Sequence, residues 1–255
     1  MPHTFPALTE ASVSLRRLTP DHDSGSGPAV LCFPHAGGCA SFFRSWPSLL
    51  PAARVDAVQY PCREDRIAED APGSLVALAA SVAEEILRTG ERYCVLFGHS
   101  MGAYVAFEVA HRLEQAGAPV PALVLSSSAA PAERPAVPFE DTADVLAYLE
   151  QYEPVSPEIR AEPELLDLIL DYIKGDLRLV AQYAEHSGKR LTSRITAVVG
   201  EQDVPGIREH FTGWSRHTTE DFTPLVVPGG HFYLREQPPA ALLRVELDRL
   251  RRETR

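Results

Sequence analysis

No apolar run in this sequence approaches the roughly 20 residues needed to cross a bilayer, and the first twenty residues, MPHTFPALTEASVSLRRLTP, contain no apolar signal core. Membrane insertion and secretion therefore both lack a signal. Cysteine is sparse: Cys32, Cys39, Cys62 and Cys94 are too few for a disulfide framework in 255 residues and form no C-x-x-C pair. A reducing, cytoplasmic setting is the expectation. Cys32, His35 and Cys39 supply three potential metal ligands but no fourth, and Cys32 falls inside a strand-like run, so a zinc site is not expected. Basic residues are also short, 24 against 35 acidic, and the net charge of −11 disfavours nucleic acid or an anionic membrane surface as partner. Internal repeats are absent, and the one low-complexity tract, residues 23–27, reads as a turn between two strands.

What is present is an ordinary globular composition, 45% hydrophobic and 23% charged, long enough for one large α/β domain. Apolar strand candidates occur at 13–18, 29–33, 55–59, 93–97, 123–126, 195–199 and 225–227. Several are continuous runs, as expected of strands buried on both faces. Helical spacing separates most of them: Leu75, Leu78, Val82 and Ile86 within 74–88, Val105, Val109 and Leu113 within 103–115, and Leu242, Val245 and Leu250 within 238–252. This succession predicts a mostly parallel central sheet with helices on both faces. Between 126 and 195 the pattern is helical only, which divides the chain into a core of residues 1–130 and 191–255 and an inserted helical cap of residues 131–190. The cap holds thirteen acidic and six basic residues, yet Leu166, Ile169, Ile173, Leu177 and Val180 recur at helical spacing. That apolar face either seals the cap onto the sheet or, as we expect of Leu166, Ile169, Ile173 and Leu177, lines a substrate channel.

The sequence CVLFGHSMGA (94–103) places G-x-S-x-G after an apolar strand and before a helical pattern. This is the context of a nucleophile elbow, a strained turn that lifts the serine hydroxyl above the sheet while glycines relieve the strand–helix contact. Ser100 is accordingly the candidate nucleophile. Its general base and orienting acid should follow in the order acid, then histidine. ITAVVGEQD (195–203) puts Asp203 just past a strand end, and LVVPGGH (225–231) does the same for His231. Glu201 and Asp221 are rival carboxylates in poorer positions. His99 adjoins the serine and reads as a packing or hydrogen-bonding residue, while His35 belongs to a small-residue loop, FPHAGG (33–38). The amides of Ala36 and Met101 are the candidate oxyanion donors, each contributing about 3–4 kcal/mol in comparable hydrolases.

The segments FPHAGG (33–38), YPCRED (60–65), FGHSMGAYVAFEVA (97–110), KGDLRLVAQY (174–183), WSRHT (214–218) and PGGHFYL (228–234) together resemble the type II, or editing, thioesterases of polyketide synthases and nonribosomal peptide synthetases. The resemblance implies an α/β-hydrolase with a mobile helical lid. It further implies that acyl thioesters are cleaved from the phosphopantetheine arms of acyl or peptidyl carrier protein domains, with small acyl thioesters as simpler substrates and no cofactor. Two positions depart from the family pattern: Cys62 stands where glycine is usual, and Lys174-Gly175 where Arg-Ala is usual. Cys62 speaks against a left-handed turn at that point, and Gly175 should loosen a lid helix by about 1 kcal/mol relative to alanine. A chain-releasing or acyl-transferring thioesterase is the alternative within enzymes. A free-standing domain without a carrier-like neighbour favours editing. A catalytically silent carrier-binding protein is the alternative of another class, against which the intact Ser, Asp and His positions argue.

Overall fold

The computed structural model describes residues 14–20, 27–133, 142–183 and 188–253. Seven strands are joined in the order β1-β3-β2-β4-β5-β6-β7: β1 (Leu15–Arg17), β2 (Ala29–Phe33), β3 (Arg54–Val58), β4 (Val95–His99), β5 (Ala122–Ser126), β6 (Arg194–Gly200) and β7 (Phe222–Val227). All pairings are parallel except that of β1 with β3. The helices are α1 (Trp46–Leu49), α2 (Leu75–Thr89), α3 (Met101–Gln115), α4 (Thr142–Glu150), α5 (Pro157–Arg160), α6 (Pro163–Tyr183), α7 (Pro205–Arg208) and α8 (Ala240–Glu253).

The continuous apolar strands are explained by cover on both faces. Along β4, Leu96 belongs to the buried cluster formed with α2, α3 and Trp214, while Val95 and Phe97 belong to a second cluster that includes Trp46, Leu243 and Leu247. Helix α2 starts where the Ser74 hydroxyl accepts from the Ala77 amide at 3.0 Å, and it stops at Gly90, whose φ of 70° breaks the helical path. Both ends follow from the residue types.

Chain order places the functional loops. The chain runs outward from β2 to β3 and returns to set β4 on the other side of β2, so β2 and β4 are neighbours whose exit loops diverge. A crevice opens at such a switch point, beyond the carboxyl ends of the strands. The residues pairing there are Phe33 with Gly98, immediately before the 34–38 loop and the Ser100 turn.

Several expectations need adjustment. The last strand begins at Phe222, not Leu225, despite Pro224. Proline is tolerated because β7 is the sheet edge, where a missing N–H costs no ladder bond. The first strand spans only Leu15–Arg17, and Val13, like residues 23–26 of the expected turn, lies outside the described residues. Helix α3 starts at Met101, two residues early, and the short α1 and α7 had no periodic signal.

Between β5 and β6 the described residues form helices α4, α5 and α6, with Pro157 and Pro163 at helix starts, where an absent N–H is harmless. The C-terminal half of α6 is anchored: Tyr183 donates to Glu108 of α3 at 2.8 Å, and Lys189 reaches the same buried carboxylate at 2.6 Å. Toward its start the helix is more open, with Leu165 and Leu168 exposed.

Candidate active site

Ser100 sits between β4 and α3 with φ 54° and ψ −118°, a strained conformation outside the αL basin. Its amide donates to the Ser126 carbonyl at 2.8 Å, which pins the turn to β5. The flanking glycines are sterically required. A Cβ on Gly98 would collide with the Gly102 carbonyl, and one on Gly102 with the Phe33 carbonyl. The turn thus presents a half-buried hydroxyl at the crevice floor.

Asp203 follows β6 and His231 follows β7, both 5% exposed. The His231 Nδ1 and Asp203 Oδ1 atoms lie 2.9 Å apart, and the same oxygen accepts from the Val204 amide at 2.8 Å. Asp203 Oδ2 is buried without a hydrogen-bond partner among the described residues. The rival acids face elsewhere: Glu201 is exposed, and Asp221 pairs with Arg249 at 2.6 Å. Ser100 and His231 line one cavity, with no hydrogen bond between them among the described residues. Apo sites often hold this pair loosely and tighten it on substrate binding.

Two more histidines surround His231, at ring-centroid distances of 5.1 Å from His99, and 5.9 Å between His99 and His35. His99 is fully buried, its Nδ1 2.9 Å from Ser126 Oγ, which in turn meets the Tyr233 hydroxyl at 2.8 Å. Desolvation, reinforced by the nearby His231, His35 and Arg235, holds His99 well below the usual histidine range. Desolvation with His231, Arg235 and Arg63 lowers His35 to about 3. Both rings are therefore neutral at physiological pH.

In the loop after β2, the Gly38 amide donates to the His35 carbonyl at 2.9 Å and the Gly37 amide to Asp176 of α6 at 2.7 Å. The Ala36 amide is not engaged in either bond. The Met101 amide opens α3 and has no intrahelical acceptor. Asp176 also pairs with Arg63, which follows β3. Burial raises the Asp176 carboxyl, opposed by Arg63 and the Gly37 amide. The expectation against a left-handed turn at Cys62 is overturned: its φ is 66°. The thiol donates to the Glu69 carbonyl at 3.1 Å and the Cys62 amide to the Arg66 carbonyl at 3.0 Å, local bonds that offset the conformational cost.

Two cavities meet at Ser100. One, of about 260 Å³, is lined in part by Ser127, Ser128, Gln151 and Tyr104. The other, of about 360 Å³, lies beneath α6 and includes Leu166, Ile169, Ile173 and Leu177, the stripe expected to line a channel. Tyr148 and Tyr152 border both, and the Tyr152 ring lies 4.5 Å from that of His231. Sequence reasoning gave no role to Tyr152, Arg63 or Asp176. Arg63 and Asp176 lie in the segments YPCRED and KGDLRLVAQY that carry the resemblance, and Asp176 is also an acid within the register of a buried apolar stripe; Tyr152 carried no signal.

Fold and site together define a serine-hydrolase-like α/β protein, and its sheet and helices are those of the α/β-hydrolase fold. Residues 28–247 match the thioesterase-domain family model, and the chain belongs to the thioesterase family. It is 35% identical over 235 residues to the probable cadicidin biosynthesis thioesterase of Streptomyces griseus, covering 90% of this chain and 64% of that protein. A 39% identity over 228 residues relates it to the phenyloxazoline synthase MbtB of Mycobacterium tuberculosis, covering 86% of this chain and 16% of the synthase. The chain thus spans less than two thirds of either relative. Among solved structures, the type II thioesterase BorB from the borrelidin biosynthetic cluster is 33% identical with a TM-score of 0.78, covering 94% of this chain and 100% of that one. No helix among the described residues is long and apolar enough to cross a membrane.

Proposed function

We propose that the protein hydrolyses acyl thioesters carried on the phosphopantetheine arms of acyl or peptidyl carrier protein domains, removing stalled or aberrant acyl groups from polyketide or nonribosomal peptide synthases. The observation that carries the chemistry is the serine on its strained turn, sharing a cavity with a histidine that is hydrogen-bonded to a buried aspartate. The likeness to BorB and to the cadicidin thioesterase supports the substrate class.

In the first half-reaction His231 takes the Ser100 proton as Oγ bonds to the thioester carbonyl carbon. The carbonyl π pair moves onto oxygen, where the Ala36 and Met101 amides receive it. Collapse of this intermediate breaks the C–S bond, and the departing sulfur takes the proton from His231. Water then repeats the sequence on the acyl-serine, giving up a proton to His231 and releasing the carboxylic acid with Ser100 restored. Asp203 keeps the Nδ1–H tautomer facing it and stabilises the imidazolium formed in each half. The chamber beneath α6, within the helical insertion of residues 131–190, takes the acyl chain.

Ser100→Ala should lower turnover of acyl-pantetheine thioesters by roughly 10³-fold or more. A serine-directed phosphonate should label Ser100 alone in the wild type. Labelling of a different serine, or full activity of the alanine variant, refutes the assignment. The identity with a segment of MbtB supports chain release or acyl transfer as a second reading. Product analysis on loaded carrier protein separates the two: free acids indicate hydrolysis, and esters, amides or cyclised products indicate transfer.

A further inference from the structure

We infer that Asp176 of α6 is a positioning residue for the oxyanion loop, holding the Ala36 amide in place only while α6 is seated over the site. The inference rests on the serine-hydrolase reading given above. Asp176 is 5% exposed and lies among apolar neighbours of α6, where a leucine would fill the space without bringing in a charge. A buried ion pair is often no more stable than an apolar substitute, so what it specifies needs an explanation of its own.

Here it specifies the connection of three segments distant in sequence. Asp176 accepts from the Gly37 amide at 2.7 Å and pairs with Arg63, itself buried. The Arg63 guanidinium lies 5.3 Å from the Tyr60 ring centroid, and the Tyr60 hydroxyl donates to the Pro34 carbonyl at 3.1 Å. The contacts form a closed circuit that begins at Pro34 and ends at Gly37. Ala36 lies within it. Fixing the peptide plane between Ala36 and Gly37 leaves the Ala36 amide only the two backbone torsions at its own Cα through which to drift.

A second contact from the same helix points the same way. Gly37 has φ 76°, and a Cβ built there would stand 2.5 Å from Ile173 Cγ1, one turn before Asp176. Residues three apart share a helix face. Helix α6 therefore covers Gly37 with Ile173 while bonding it through Asp176, and displacing this part of the helix breaks both contacts. Binding of the acyl chain under α6 and readiness of the oxyanion site are thereby linked.

Three variants of the full chain test this. Arg63→Met with Asp176→Leu removes the acceptor without stranding a buried charge. Arg63→Met with Asp176→Asn keeps a neutral acceptor for the Gly37 amide. Asp176→Glu keeps the charge pair but displaces the acceptor by one methylene. Readouts are thermal stability, kcat and KM on an acyl N-acetylcysteamine thioester, and affinity for an alkyl boronic acid, whose tetrahedral serine adduct uses the oxyanion donors.

The Leu double variant should lose roughly 10²-fold in kcat and a similar factor in boronate affinity, with KM within about 3-fold of wild type. The Asn double variant should recover most of both. Asp176→Glu, the check if the Leu variant does not fold, should lose roughly 10-fold in each. Equal activities in the two double variants, or a folded Asp176→Glu with wild-type kcat and boronate affinity, overturn the inference. A wild type that binds boronate at Ser100 but cleaves no thioester refutes the proposed substrate instead, leaving the boronate comparison as the test of Asp176.

Discussion

His99 provides a prediction whose size follows from its surroundings. Its ring is fully buried and held well below the ordinary histidine value of 6.5 by desolvation, with His231, His35 and Arg235 adding to the effect. The unfolded chain has no such restraint. With the folded pKa depressed, stability is fully present above about pH 6.5 and is lost as pH falls toward the folded value, because the unfolded state alone gains the proton. For a ring that stays neutral throughout in the folded state, integrating the linkage relation from about pH 7.5 to about pH 5 sets an upper bound of about 2 kcal/mol on the loss from this residue. For a domain of this size that bound corresponds to a fall of roughly 4–8 °C in Tm.

His35, His111 and His217, which burial likewise holds low in the folded protein, also gain protons in the unfolded chain over this window. The measurement is therefore a difference. His99→Asn retains a polar atom near Nδ1 for Ser126 but removes the titration. Reversible urea unfolding of both proteins at the two pH values should show the variant less stable overall, with a smaller pH-dependent loss, the difference bounded by about 2 kcal/mol. Equal losses in the two proteins would mean that His99 takes up a proton in the folded state as readily as in the unfolded chain, and the argument from burial would fail.

Asp203→Asn should preserve the fold but slow acylation by roughly 10²–10⁴-fold, whereas Glu201→Gln should change it little, as stopped-flow acylation of both variants would show. A larger effect at Glu201 would move the role to that carboxylate. Ile173→Trp should shorten the preferred acyl chain in a panel of thioesters while leaving acetyl hydrolysis nearly unchanged. An unaltered chain-length profile would show that this face only seals the helix. Gly175 has open space around its Cα, so Gly175→Ala should slow hydrogen exchange along α6, corresponding to about 1 kcal/mol of local stabilisation. No change would place the compliance of α6 elsewhere.

Much of the site could be read from the sequence because its main elements are local. The strained turn at Ser100 is encoded by five consecutive residues, and Asp203 and His231 each directly follow an apolar strand. Strand ends of a parallel sheet converge on one side, so three separate segments could be brought together without knowing any distance. Contacts made by the helical insertion were harder to read. That Tyr152 would lie over His231, or that Asp176 would reach Gly37, depends on how α4 and α6 settle on the sheet, and periodicity gives a helix face without its partner. The last strand begins earlier than the apolar run at 225–227 suggests, because an edge position lets Pro224 join it. At Cys62 a residue type unsuited to positive φ was overruled by the hydrogen bonds of its turn.

The strand order has a mechanical consequence. Ser100 and the loop carrying Ala36 leave β4 and β2, adjacent strands with neighbours on both sides, while His231 leaves β7, which among the described residues is paired on one side only. In the proposed mechanism, the groups assigned to the substrate carbonyl are thus mounted at the centre of the sheet, and the proposed base is mounted on its margin. His231 is hydrogen-bonded there to Asp203 at its ring and by the Ser127 hydroxyl at its carbonyl, 3.2 Å away, with the Tyr152 and His99 rings beside it. A strand paired on both sides yields less than an edge strand, so warming or mild denaturant should loosen the His231 loop before the Ala36 and Ser100 loops.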